Sequence, residues 1–185
     1  MNGRVILSLC DYSGAWSEPY RLAGYDVRRI DLQHGQDVRL IEHCGERIHG
    51  ILAAPPCDHF ALSGARWWES KGEQAAIDGL AVVDACLRAV AIYRPEWWAL
   101  ENPVGRLRRW LGPPAWSFHP CDFGDPYTKR THLWGHFTPP CPLICAAWQP
   151  VAASQGSKMH TMIRDKRRRS ETPAGFAQAF FEANP

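Results

Sequence analysis

The sequence lacks the long hydrophobic runs that anchor a chain in a membrane. No apolar segment approaches the roughly 18 residues that a membrane-spanning helix needs, and residues 1–4 lead into a strand-like segment rather than a signal peptide. The seven cysteines are scattered and odd in number, which predicts reduced thiols rather than a disulfide framework. We therefore expect a cytoplasmic protein with no membrane partner.

Common nucleotide and metal motifs are also missing. The sequence has neither G-x-G-x-x-G, typical of dinucleotide sites, nor G-x-x-x-x-G-K-[ST], typical of phosphate-binding loops. This argues against NAD, FAD and ATP and leaves an adenosine-bearing ligand without a long phosphate chain. Paired zinc ligands are scarce: Cys141 and Cys145 form one C-x₃-C, with Cys121 upstream. We predict no metal site, and a structural zinc at these cysteines is the alternative that stays open.

The composition is that of a globular protein. With 185 residues, of which 45% are hydrophobic and 22% are charged, the chain can bury a substantial core, and we expect residues 1–185 to form a single domain. Within it, the proline-rich and basic segment 139–170 is expected to extend over the surface.

The first part of the chain resembles a nucleotide-binding unit. Residues 4–9 predict a strand, 10–15 a turn of small residues, 16–23 a helix, and 25–31 a second strand that ends in Asp31. A turn of this kind lets the backbone approach a ligand, and an acid at the strand end accepts hydrogen bonds from ribose hydroxyls. Asp37 follows as an acceptor for an adenine amino group, or as a solvated loop carboxylate.

A cysteine follows the next strand. Residues 50–54 predict a buried strand, and Pro55-Pro56 end it because proline cannot donate a backbone hydrogen bond. Ligands of open α/β sheets bind beyond the carboxyl ends of the strands, so Cys57 is a candidate nucleophile. The alternative is a small, half-buried loop cysteine.

A carboxylate follows the strand after that. Apolar residues at helical spacing predict a long helix over 74–93 that packs on the sheet, with Ile77, Val83 and Ala91 in its buried stripe. Residues 96–100 predict a strand that ends at Glu101. If this strand is parallel to the one before Cys57, both groups lie at the same edge, where a buried carboxyl can hold a proton for donation. The alternative is a carboxylate that interacts with a helix dipole.

Basic residues lie mainly in the second half. Arg106 lies close to Arg108, Arg109 and Trp110, a basic loop at Lys129 and Arg130 enters a strand, and residues 164–169 form a basic cluster. Phosphate contact and a solvated charged segment both remain open for this cluster. A last helix is predicted over 172–182, with Thr172 as its N-cap.

Taken in order, these motifs resemble those of the DNA (cytosine-5) methyltransferases. Residues 8–15 stand where that family has its D-L-F-x-G-x-G-G cofactor loop, although the first glycine is absent. Ala54-Pro55-Pro56-Cys57 resembles the G-P-P-C motif that carries the nucleophile, and Glu101-Asn102-Pro103 resembles E-N-V, whose glutamate contacts N3 of cytosine. Lys129-Arg130 falls in the Q-x-R-x-R motif, of which one arginine is kept, and residues 172–177 resemble the C-terminal helix beside the cofactor.

The resemblance implies a Rossmann-like α/β fold of the S-adenosylmethionine-dependent methyltransferases, with a mostly parallel central sheet and helices on both faces. It implies catalytic roles for Cys57, Glu101 and Arg130. The residues implied to bind S-adenosylmethionine are Leu9, Asp11, Ser13, Gly14, Ala15, Trp16, Asp31, Leu32, Asp37, Val38 and Pro55. Those expected to bind nucleic acid are Arg106, Lys129, Arg167, Arg168 and Arg169.

The implied reaction is methyl transfer to carbon 5 of cytosine in DNA through a covalent Cys57 adduct. The family inserts a target-recognition domain after the basic loop, and residues 139–158 are too few for one. A single- or double-stranded DNA substrate is expected, with a protein partner that could supply recognition. The alternatives are the same chemistry on a free cytosine nucleotide or on RNA, and a non-catalytic protein that binds nucleic acid.

Overall fold

The computed structural model describes residues 3–43, 45–143, 163 and 165–185. Within these ranges the chain forms a six-stranded sheet with the order β2-β1-β3-β4-β6-β5. The strands are β1 (Val5–Leu9), β2 (Asp26–Ile30), β3 (Ile48–Ala53), β4 (Trp97–Pro103), β5 (Trp116–Phe118) and β6 (Thr131–His136). The helices are α1 (Glu18–Leu22), α2 (Trp68–Tyr93), α3 (Arg108–Leu111), α4 (Lys166–Ser170) and α5 (Ala174–Ala183).

The direction of the strands decides where a site can form. β1 pairs in parallel with β2 and β3, and β3 pairs in parallel with β4, while β6 runs antiparallel to β4 and β5. The carboxyl ends of β1, β3 and β4 therefore lie side by side at one edge. The prediction of an α/β fold with a mostly parallel sheet and helices on both faces is confirmed.

Helix α2 covers one face of the sheet. It begins six residues before the predicted start, with a break at Gly72 (φ 75°, ψ 175°), and ends at Tyr93 as predicted. Its buried positions are Ala76, Gly79, Val83, Ala85, Cys86 and Ala89. The predicted stripe was partly wrong, because Ile77 is 50% exposed and Ala91 is exposed.

Aromatic residues fill the other face, under α1 and α5. Tyr20 of α1 is fully buried, and its hydroxyl donates to the Asn184 carbonyl oxygen at 2.8 Å. The rings of Phe118 and Phe176 stack with their centroids 3.9 Å apart. The N-cap of α5 is Pro173 rather than the predicted Thr172, and the Pro173 carbonyl accepts from the Ala177 amide.

Strand β4 continues beyond its predicted end. Glu101, Asn102 and Pro103 pair with Leu133, His132 and Thr131 of β6, so the strand extends as far as its antiparallel neighbour. Glu101 consequently lies within β4, where the ladder on one side fixes its backbone. None of the helices within the described ranges is both long and apolar enough to cross a membrane.

Candidate active site

The loop after β1 is organised around the buried carboxylate of Asp11. Its two oxygens accept from the hydroxyls of Ser8 (2.8 Å), Ser17 (3.1 Å) and Ser13 (3.3 Å), and from the Gly14 amide (3.0 Å). Gly14 has φ +71°, and a Cβ there would lie 2.7 Å from a guanidinium nitrogen of Arg29. Because its oxygens are already engaged, Asp11 shapes the loop rather than offering a free acceptor to a ligand.

Asp31 and Asp37 differ in whether a carboxylate oxygen is available to accept a hydrogen bond from a ligand. Asp31 lies just after β2, half-buried, and one of its oxygens accepts from the Gln33 amide at 2.8 Å. Its other oxygen accepts nothing from the described residues, which suits a ribose hydroxyl. Both oxygens of Asp37 accept from the Arg39 guanidinium, at 2.6 and 3.0 Å, and this contact lowers the pKa of Asp37. An adenine amino group would compete with Arg39 for that carboxylate.

The other residues predicted to bind the cofactor lie along the same edge. Leu9, Trp16, Val38 and Pro55 are buried, Ala15 is half-buried, and Ser13 and Leu32 are exposed. A cleft of about 580 Å³ opens beside the loop, and its lining includes Ala15, Tyr127, Arg168, Thr172 and Pro173. The loop and Asp31 follow neighbouring parallel strands and suit an adenosine-bearing cofactor, whereas the cleft adjoins the loop at Ala15 and is also lined by Asp125, Asp165 and Glu171. The roles of these residues remain predictions.

Cys57 is held close to the ends of β1 and β4. The Ala54 amide donates to the Leu9 carbonyl at 2.9 Å, which joins the end of β3 to that of β1. The side-chain amide of Asn102 donates to the Pro55 carbonyl at 3.0 Å, which joins the prolines to β4. The Cys57 carbonyl accepts from the amides of residues 60 and 61, so the chain turns immediately after the thiol.

A short ladder links the segment after Cys57 to the segment after Glu101. The Leu62 amide donates to the Val104 carbonyl at 2.8 Å, and the Arg106 amide donates to the Phe60 carbonyl at 2.9 Å. A Cβ on Gly105 would overlap the Phe60 carbonyl oxygen, so this approach needs glycine. The ladder holds the thiol loop and the carboxylate strand in one arrangement.

Burial shifts both candidate catalytic groups toward their neutral forms. Desolvation is the main cause that raises the pKa of Glu101, and the charge of Lys129 opposes it. Burial also raises the pKa of Cys57; Lys129 lowers it, while Glu101 and Asp58 raise it. Cys57, Glu101 and Lys129 are thus close enough to act on one another. A carboxyl with a raised pKa keeps its proton to higher pH and can donate it or share it in a hydrogen bond, while Lys129 favours the thiolate.

Lys129 and Arg130 act on different groups. The Lys129 ammonium donates to the Arg169 carbonyl at 3.2 Å, so α4 contributes to its placement. The exposed side chain of Arg130 instead helps to lower the pKa values of His119 and His132. The sequence predicts a catalytic role for Arg130 and nucleic-acid contact for Lys129; in the structure the charge of Lys129 lowers the pKa values of Cys57 and Glu101, and both roles remain predictions.

Replacing Lys129 with glutamine is expected to make Cys57 less reactive. Loss of the ammonium removes a charge that lowers the thiol pKa, and each unit by which that pKa rises reduces the thiolate fraction about tenfold. Alkylation of Cys57 by iodoacetamide, followed by peptide mass spectrometry between pH 7 and pH 10, should shift to higher pH. Arg130→Gln is the matched control and should leave the profile unchanged; equal profiles for Lys129→Gln and the unaltered protein would refute this role.

The other residues predicted to bind nucleic acid differ in burial and in contacts. Arg106 is partly buried: its Nε donates to the His59 carbonyl at 2.7 Å, and its guanidinium lies 4.6 Å from the Trp68 ring centroid. Arg168 is exposed and Arg169 is half-buried, while the side chain of Arg167 lies outside the described residues. Most of segment 139–170 lies outside them as well.

Among the described residues, no three His, Cys, Asp or Glu side chains come close enough to share an ion. Cys121 is buried and Cys141 is exposed, while Cys145 is not among the described residues.

The chain is similar to solved structures but matches no family model and no curated protein sequence. A candidate DNA modification methyltransferase encoded within an E. coli prophage is similar with a TM-score of 0.48 and 18% identity, over 72% of this chain and 47% of that chain. The Entamoeba histolytica methyltransferase EhMeth is similar with a TM-score of 0.47 and 12% identity, over 75% and 54%. The chain thus aligns with only about half of each of these structures.

Proposed function

We propose that this protein transfers a methyl group from S-adenosylmethionine to carbon 5 of cytosine in DNA, through a covalent adduct with Cys57. The observation that carries this proposal is the grouping of Cys57, Glu101 and Lys129 at the carboxyl edge of β3 and β4. A thiol, a carboxyl whose pKa burial raises, and a cation in one place meet the needs of nucleophilic addition to a cytosine ring.

The chemistry requires each of these groups. Carbon 5 of cytosine is a poor nucleophile, so the Cys57 thiolate first forms a bond to carbon 6. Glu101 donates its proton to N3 as electron density shifts into the ring, and carbon 5 then acts as the nucleophile. After the methyl group is attached, carbon 5 loses its proton to solvent. The bond from sulfur to carbon 6 breaks, and the N3 proton returns to Glu101.

The cofactor supplies an electrophilic methyl group when it is bound. The chain's own contribution is the loop after β1, with Gly14 and the Asp11 network, together with Asp31, whose free oxygen would accept from the ribose. The cleft between this loop and residues 172–174 leaves room for the rest of the molecule. Since Cys57 follows the strand next to β1, a cofactor held there would lie beside the reacting base.

The substrate base must leave a duplex or already be unpaired, because a stacked cytosine cannot reach a half-buried thiol. The experiment is nucleoside mass spectrometry after incubation with S-adenosylmethionine, on single-stranded DNA, duplex DNA, RNA and cytidine nucleotides in separate reactions. We expect 5-methyl-2′-deoxycytidine from DNA. Methylation of RNA or nucleotides alone would move the reaction to another substrate, and no product from any of the four would contradict methyl transfer to cytosine.

A further inference from the structure

A groove lies beside α3, and residues of the ladder that follows Cys57 and Glu101 form part of its lining. Its volume is about 400 Å³, and the residues that line it are Leu62, Trp68, Val104, Gly105, Arg106, Arg108 and Arg109. We call it the α3 groove. Three of these seven residues are arginines and none is acidic, so the groove has the charge of a site for an anion.

Hydrogen-bond donors without acceptors line the same groove. Nη2 of Arg106 and Nε1 of Trp68 are both buried, and neither has a hydrogen-bond partner among the described residues. Buried donors usually have an acceptor, although five other buried polar atoms among the described residues also lack a partner. Arg108 and Arg109 are exposed and form no ion pair with any described carboxylate. The guanidinium groups of Arg108 and Arg109 therefore have donors available to an anion, which suits phosphate oxygens.

An exposed indole stands next to the α3 groove. Trp110 is 46% exposed. Its ring centroid lies 6.0 Å from the Arg106 guanidinium and 5.9 Å from the centroid of the Phe60 ring. A tryptophan held by its neighbours, with part of its surface open to solvent, suits stacking by an unpaired base. Arg130 adds positive charge on the β6 side, since both it and Arg108 help to lower the pKa of His132.

The position of the α3 groove relative to the candidate active site limits what the ligand can be. Val104, Gly105 and Arg106 belong to the segment that directly follows Glu101 and pairs with the segment after Cys57. A nucleic-acid strand bound in the groove would therefore contact residues that are close in sequence to Glu101 and that pair with the segment after Cys57. An isolated phosphate would leave the indole unused, whereas a polynucleotide would use both the arginines and the ring.

We propose that the α3 groove binds an unpaired segment of a DNA strand, with phosphates on Arg108 and Arg109 and a base stacked on Trp110. The proposal rests on the proposed function for its choice of DNA. It would hold a substrate strand beside the segments that follow Cys57 and Glu101. Stacking and phosphate contact tolerate any base, so the groove would confer little sequence preference.

The test is the binding of fluorescently labelled oligo-deoxythymidine, followed by anisotropy over a range of salt concentrations without cofactor. Oligo-deoxythymidine contains no cytosine, so the measurement does not depend on methyl transfer. Trp110→Leu should weaken binding about tenfold with the salt dependence unchanged, because stacking is worth about 1–3 kcal/mol per base. Arg108→Gln/Arg109→Gln should reduce the slope of log K against log salt by about 1.4, since each phosphate contact on a single strand contributes about 0.7.

The matched control is Arg21→Gln/Arg47→Gln, which removes two exposed arginines on α1 and just before β3. It should keep the unaltered salt slope. Equal losses in the two double variants, affinity of the Trp110 variant within twofold of the unaltered protein, or tighter binding of duplex than of single strands would each overturn the proposal.

If the α3 groove variants lose binding but no DNA is methylated, the proposed function fails while the groove stands. If DNA is methylated but the variants bind as the unaltered protein does, the groove fails while the proposed function stands.

Discussion

Replacing Cys57 with alanine is expected to abolish the formation of 5-methyl-2′-deoxycytidine while the protein stays folded. Without the sulfur there is no addition to carbon 6, and carbon 5 remains too poor a nucleophile to accept the methyl group. Activity should fall below detection by nucleoside mass spectrometry. Because the thiol is half-buried at the start of a loop, its loss should cost little stability.

Cys141→Ala is the matched control for this variant. Cys141 is also a free cysteine, but it is exposed, and its thiol lies 3.8 Å from the Pro142 carbonyl. The control should retain full activity. Methylation by Cys57→Ala would show that Cys57 is not the nucleophile, and equal loss in both variants would show that the assay responds to general damage.

Replacing Glu101 with alanine is expected to lower kcat/KM by about 10²- to 10⁴-fold, the usual contribution of a general acid. The carboxyl must be protonated to donate to N3, while Cys57 must be ionised to attack. The pH profile should therefore be bell-shaped: activity rises with the thiolate fraction and falls as Glu101 ionises. The rate should be measured from pH 5 to pH 10, with Glu96→Gln, at the exposed start of the same strand segment, as the control with near-full activity.

Thermal unfolding tests the state of Glu101 without reference to activity. Burial raises its pKa in the folded protein, so the folded state binds the proton more tightly than the unfolded chain, and stability is lost as pH rises above the unfolded value. Glu101→Gln removes this cost and should raise Tm by a few degrees at pH 8, with no gain at pH 4. Glu96→Gln should not raise Tm, because His49 lowers the pKa of Glu96 and its ionised form is favoured. No gain for Glu101→Gln at pH 8 would contradict a raised pKa.

The placement of Cys57 and Glu101 at one edge could be predicted because it depends on local patterns. Apolar segments with polar or proline-rich ends identify buried strands, and parallel neighbours bring their carboxyl ends together. The structure pairs residues 50–53 with 97–100 in this way. The order of the motifs along the chain then suggested which side chains carry the chemistry.

The groups on which Lys129 and Arg130 act could not be predicted in the same way. Adjacent residues at a strand entrance point in opposite directions, so a shift of one residue in the register of β6 against β4 would exchange them. That register depends on contacts between residues more than 25 positions apart in sequence, such as Glu101 with Leu133. Sequence patterns near Lys129 contain no information about it.

The buried face of α2 could be predicted only in part, for a related reason. Hydrophobicity favours large apolar residues such as Ile77, but the sheet side is lined by small ones. A Cβ on Gly79 would lie 2.9 Å from the Phe60 ring, so the close approach of the thiol loop requires a small residue at that position. The partly buried position of the Arg106 side chain depends on the same loop, because its guanidinium contacts the His59 carbonyl and the Trp68 ring.

The most direct test of the covalent chemistry is intact-protein mass spectrometry after incubation with S-adenosylmethionine and an oligonucleotide that contains 5-fluorocytosine. Fluorine cannot leave carbon 5 as a proton does, so the methylated adduct should persist on the enzyme. We predict a mass increase equal to the oligonucleotide plus one methyl group, located at Cys57 by digestion and absent from Cys57→Ala. No adduct on a protein that methylates the matching cytosine oligonucleotide, or an adduct on another residue, would contradict a covalent role for Cys57.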